Sequence, residues 1–166
     1  MLPGNEFILA LCRAGLVAGA IVLAAAGSAS ASYEEGLAAH ERGEFAAAFE
    51  VFNREAGKGN PAAQHYVGRY HELGLIVERN EQEALSWYRK AADQGFADSQ
   101  YAIGLLYTAG SGVKKNLGTA AQWFRQAAQQ GHAQAQYNLG VLYLKGLGVA
   151  EDGEEAVRWF RRSAGQ

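Results

Sequence analysis

Tryptophan recurs at a fixed interval in this chain, at Trp87, Trp123 and Trp159, each 36 residues after the last. Around each lies the same phrase: WYRKAADQG from Trp87, WFRQAAQQG from Trp123 and WFRRSAGQ from Trp159. Between them YAIGLLYTAGSGV (101–113) is matched by YNLGVLYLKGLGV (137–149) at the same offset. A period of 20 to 50 residues means stacked supersecondary units, none of which can bury its apolar face alone. Few other fold classes are compatible with it.

The period also runs backwards. Residues 60–64 align with 96–100 and 132–136, and Gly59, Gly95 and Gly131 fall in register. One further step places Phe52 under Tyr88 and Ala56 under Ala92, so 32–59 reads as a degenerate N-terminal helical repeat. Its glycines and apolar residues predict two short helices broken near Gly43, the better one over Glu44 to Ala56.

Each full unit reads as two helices. Ile103, Leu106, Tyr107 and Gly110 fall at i, i+3, i+4 and i+7, as do Leu139, Leu142, Tyr143 and Gly146, with Val67, Tyr70, His71 and Gly74 in the same places earlier. Gly68, Gly104 and Gly140 lie inside these first helices, where glycine costs roughly 1 kcal/mol relative to alanine. A loss repeated in every unit implies a close approach that a side chain would block. The second helices open at Asn80, Asn116 and Asp152. A side-chain acceptor stands at each cap, and Glu83 and Glu155 follow three residues on, as in a capping box. Each closes near a glycine suited to the left-handed cap. The tryptophans lie beside the apolar stripe and are expected to pack on the neighbouring unit rather than to form a sugar-stacking platform.

The first 31 residues follow other rules. Arg13 precedes the uncharged run Ala14 to Ala26, and small residues follow it in an A-x-A arrangement. This is the pattern of a secretory signal peptide, predicted to be cleaved after Ala31. The run is shorter than the roughly 20 residues that span a bilayer. An uncleaved anchor is the alternative, with Phe7 to Leu11 lengthening the apolar core. Export to the periplasm or outside the cell is the expectation, with no membrane insertion after cleavage. Taking away Arg13 and Glu6 leaves 14 basic and 16 acidic residues without a run of either sign, which argues against nucleic acid as a partner. The single cysteine, Cys12, falls in the leader, so the remainder has no disulfide and must be stabilised by packing.

The pattern A-x-x-x-L-G-x-x-Y-x-x-G-x-G-V, followed by Asn or Asp, an alanine, an aromatic pair and further alanine, resembles Sel1-like repeats, relatives of the tetratricopeptide repeat with a longer connecting loop. The best copy runs through Ala135, Leu139, Gly140, Tyr143, Gly146, Gly148, Val149, Asp152, Ala156, Trp159, Phe160 and Ala164. The resemblance covers about 60–166, as units near 60–95, 96–131 and 132–166. It implies an all-α fold, a right-handed α-solenoid of paired antiparallel helices whose first helices line a concave face. It also implies an adaptor or scaffold role. The unit from Asn60 departs from the pattern: His71 stands in place of the packing tyrosine, and Ile76 in place of the second loop glycine, which predicts a differently shaped loop.

Catalytic constellations are scarce. His40, His65, His71 and His132 are scattered without an H-E-x-x-H or an i, i+4 pair, and no cysteine remains outside the leader. Gly110-Ser111-Gly112 and Gly146-Leu147-Gly148 follow helices and lack the lysine of a phosphate loop, so they read as caps and connectors. No catalytic residue, cofactor or metal ligand is assigned.

The first helices also carry residues off the packing stripe. Tyr101 and Tyr137, with Leu105 and Val141 a turn on, either pack on adjoining helices or form an apolar binding patch. His65, Arg69 and Glu72 hold the equivalent places one unit earlier, and Thr108 and Lys145 lie on the far side. Together they predict a groove, polar at one end and apolar at the other, for an unidentified peptide or partner protein. An envelope enzyme or a binder of peptidoglycan-type ligands is the alternative use of the same groove. A second expected surface is an edge of the last helix, Val157, Phe160 and Ala164, available to another protein or to a second copy in a homodimer.

Overall fold

In a computed structural model of the chain the described residues are 32–165, and the predicted leader lies outside them. The described residues form eight helices and no strand: α1 (Tyr33–Glu41), α2 (Phe45–Gly57), α3 (Pro61–Leu73), α4 (Glu81–Ala92), α5 (Ala97–Ala109), α6 (Leu117–Gln129), α7 (Ala133–Lys145) and α8 (Gly153–Ala164). Each helix packs chiefly on its neighbours in sequence, giving an all-α solenoid of helix pairs. The break near Gly43 falls as expected, with Gly43 at φ 77° between α1 and α2.

The glycines inside the first helices are explained by the second helices. A Cβ on Gly68 would stand 2.7 Å from the Tyr88 ring, one on Gly104 2.5 Å from Phe124 and one on Gly140 2.7 Å from Phe160. Gly36 repeats the arrangement against Phe52 at 2.8 Å, so the degenerate first pair keeps the same contact. The aromatic ring replaces the missing side chain, and the helices within a pair close up on it. Tyr88, Phe52 and Phe124 are consequently among the most completely buried side chains.

The tryptophans join one unit to the one before. Trp87 packs against the core of α1–α3, Trp123 against that of α4 and α5, and Trp159 is buried with α6 and α7. A buried glutamine reinforces each of these joints: Gln64, Gln100 and Gln136 donate from Nε2 to the carbonyls of Ala56, Ala92 and Ala128. Gln94 and Gln130 then donate to Oε1 of Gln64 and Gln100 at 2.8 and 2.7 Å. Without these partners a buried amide would be left costly and unsatisfied.

The second helices are capped as predicted, with Oδ1 of Asn80, Asn116 and Asp152 accepting from the amides of Glu83, Thr119 and Glu155. The reciprocal half of the capping box is replaced by a longer tie. The amides of Asn80, Asn116 and Asp152 donate instead to the carbonyls of His71, Tyr107 and Tyr143 in the first helix of the same unit. Each long loop is thereby fastened at its far end. Its near end turns on a left-handed glycine cap: Gly74, Gly110 or Gly146. Gly59, Gly95 and Gly131 are also left-handed, but each stands just past the cap of its helix.

The loop after α3 keeps the repeat's shape despite the substitution. Ile76 takes φ 67°, as Gly112 and Gly148 take 67° and 71°. At Gly112 a Cβ would meet the backbone of Glu81 at 2.8 Å, and at Gly148 that of Leu117 at 2.3 Å. The Ile76 side chain is 58% exposed, so it escapes that clash and retains only the backbone strain. His71 packs edge-on to Phe49, and its buried Nδ1 has no hydrogen-bond partner. The tyrosines in its place later, Tyr107 and Tyr143, accept from Arg89 and Arg125 of the preceding second helix. The residue in that arginine register here is Asn53.

Candidate functional site

The first helices α3 and α5 present two parallel stripes across a cleft of about 560 Å³. A 36-residue step sets His65 level with Tyr101 and Arg69 level with Leu105. The α3 wall carries His65, Arg69 and Glu72, and the α5 wall carries Tyr101, Ala102 and Leu105 with Asp98 at its start. His132 and Gln134, at the start of α7, close the far side, and Tyr88 of α4 contributes to the lining. The volume lies in the range of ordinary ligand sites.

Most polar groups of the cleft are already committed. The Tyr88 phenol donates to Glu72 Oε2 at 2.5 Å. Burial, followed by the Glu72 carboxylate, raises the Tyr88 pKa far above the ordinary phenol range. His65 Nδ1 shares a hydrogen bond with the buried Ser99 hydroxyl at 3.0 Å. Burial, opposed by Asp98 and aided by Arg69, lowers the His65 pKa to about 4, so the ring is neutral at pH 7.

His132 caps α7. Its Nδ1 accepts from the Ala135 amide at 3.2 Å, which leaves Nε2 to carry the proton toward Asp98 Oδ1 at 3.4 Å. Its ring also stacks on Tyr101, 4.5 Å between centroids. The cleft end is therefore a layered unit of cap, ring stack and carboxylate.

Five of the nine predicted groove residues meet here: His65, Arg69, Glu72, Tyr101 and Leu105. The other four do not line this cleft. Thr108 turns its hydroxyl back to the Gly104 carbonyl at 2.8 Å. Tyr137, 54% exposed, sits over Phe160, and Val141 and Lys145 lie further along α7. On α8, Val157 is 46% exposed and Ala164 is exposed, whereas Phe160 is half-buried over Gly140. Sequence reasoning missed Asp98, His132 and Gln134. The available signal was the cap register Asn60, Phe96, His132, which puts a side chain at the mouth of each first helix.

No cluster of three or more His, Cys, Asp or Glu suited to a metal ion occurs among the described residues, nor does any helix long and apolar enough to cross a membrane.

Residues 61–96, 97–132 and 133–166 each match the model of the Sel1 repeat. The chain belongs to the Sel1 repeat family. Sel1 repeat proteins are generally interaction scaffolds rather than enzymes. This Sel1 chain is similar to a Sel1 repeat protein from Oxalobacter formigenes, with 37% identity over 81% of this chain and 55% of that one, at a TM-score of 0.78. It is also similar to c5321, a protective antigen of uropathogenic Escherichia coli with an SLR fold: 38% identity over 71% of this chain and 25% of that one, TM-score 0.69. The chain thus spans about half of the first relative and a quarter of the second. Cysteine rich protein B of Helicobacter pylori shares the fold at 22% identity, over 70% of this chain and 88% of that one, TM-score 0.55. No curated protein matches the chain in sequence.

Proposed function

We propose that the protein is an exported interaction scaffold of the bacterial cell envelope that docks a peptide segment of a partner protein in the α3–α5 cleft. The observation that carries this reading is the pairing of unlike walls. His65, Arg69 and Glu72 face Tyr101, Ala102 and Leu105 across one opening, so a bound segment meets polar and apolar surface together. Leu105 is 38% exposed in the middle of a helix whose other large aliphatic residues, Ile103 and Leu106, are buried. The leader pattern of residues 1–31 supports export.

Replacing Tyr101 and Arg69 together by alanine tests the docking site. Loss of partner capture with helicity unchanged is the expected result, and equal capture by the double variant rejects the cleft. Export is tested by sequencing the N-terminus of the protein recovered from the periplasm. A start at Ser32 is expected, and recovery of the full leader from the cytoplasm contradicts it.

A further inference from the structure

The charges of the cleft are not equivalent. Glu72 already accepts the Tyr88 phenol, and Asp98 faces His132 Nε2. Arg69 differs from both. Its guanidinium has no ion pair among the described residues and rests over the Tyr66 ring, 5.7 Å from the centroid. It is exposed, one turn from His65, and level with Leu105 across the opening. A guanidinium presents a planar fork of donors that matches a carboxylate. Arg69 is therefore a charged group of the cleft left without a hydrogen-bonded partner among the described residues, and the surface beside it is apolar.

We propose that the cleft selects a peptide segment in which an aspartate or glutamate side chain adjoins an apolar residue. The side-chain carboxylate pairs with Arg69, and the apolar side chain lies on Leu105 and Tyr101. This rests on the reading of the cleft as the docking site and adds the chemistry of its occupant. Charge complementarity sets the orientation: the segment's acidic group goes to the α3 wall, and its apolar group to the α5 wall. A basic residue in the acidic position is repelled by Arg69.

The test uses the full chain, labelled with 15N, titrated with blocked tetrapeptides and followed by NMR. The probes are Ac-Gly-Glu-Leu-Gly-amide and its counterparts with Gln or Lys for Glu and with Ala for Leu. A fifth, Ac-Gly-Gly-Leu with a free C-terminal carboxylate, separates a chain terminus from a side chain. The Glu-Leu peptide is expected to shift the amides around Arg69, Tyr101 and Leu105 and to bind about tenfold more tightly than the Gln and Lys forms. Arg69→Gln, at an exposed position, should erase the difference between Glu and Gln, whereas Leu105→Ala should weaken both.

Equal binding of the Gln or Lys peptide at these residues overturns the inference and leaves the cleft as a docking site. Tighter binding of the free-terminus peptide overturns it in favour of a terminal carboxylate. If none of the five peptides shifts cleft residues, the inference fails. The docking reading fails with it only if a crosslinker placed in the cleft also captures nothing.

Discussion

The ring of Phe124 occupies the space that a side chain on Gly104 would need, 2.5 Å from where its Cβ would stand. The same relationship joins Gly68 to Tyr88 and Gly140 to Phe160, and it sets how closely the two helices of a unit approach. Helix propensity alone favours alanine at such a position by about 1 kcal/mol. Steric crowding acts in the opposite direction and wins, because Phe124 is buried and has nowhere to move. Gly104→Ala is expected to lower stability by about 1–3 kcal/mol in urea denaturation. Gly140→Ala should cost less, since Phe160 is only half-buried and can shift.

Ile76 is held in the left-handed region by a loop built for glycine. A non-glycine residue there costs roughly 1–2 kcal/mol, and its exposed side chain returns little of that. Ile76→Gly should therefore raise stability by about 1 kcal/mol, seen as a higher midpoint in thermal or urea unfolding. A lower midpoint would show that the side chain packs more than its exposure indicates.

The buried His65 couples stability to pH. Its folded-state pKa, about 4, lies below its ordinary value of 6.5, so the unfolded chain binds the proton more tightly. The stabilisation is complete above pH 6.5 and is lost progressively as pH falls toward 4, by up to about 3 kcal/mol. Urea midpoints measured at pH 7 and pH 4.5 should fall further for the native chain than for His65→Gln. Parallel pH profiles for the two would contradict the assignment.

The Gln100 side chain joins three helices, donating to the Ala92 carbonyl and accepting from Gln130. Gln100→Leu removes both hydrogen bonds at once, leaving the Ala92 carbonyl with the Gly95 amide alone, and should destabilise by about 1–2 kcal/mol. Hydrogen exchange should report the loss mainly in α4 to α6, because repeat units are coupled to their neighbours.

Much of this was legible in the sequence, and the boundary is physical. The tryptophan period, the helix pairs and the interior glycines could be read because each unit repeats the same packing problem in the same register. The asparagine and aspartate caps were legible because they depend on residues three positions away. The shape of the Ile76 loop was not, because the surrounding ties hold the turn whatever residue stands there. On the α3 wall the cleft residues follow one helical stripe and were foreseen. Asp98, His132 and Gln134 reach the cleft from the starts of α5 and α7, and no stripe includes them. The Tyr88 ring lies in the core, and its hydroxyl reaches through to Glu72, a contact that no periodicity reveals.

The measurement that bears most directly on the docking cleft is photo-crosslinking in cells with a reactive residue at Leu105, compared with one at the exposed Ser86 on α4. A discrete adduct at Leu105 and none at Ser86, its partner peptide identified by mass spectrometry, is the result predicted. Adducts at Ser86 alone, or no adduct at Leu105 from folded protein, would contradict docking between α3 and α5.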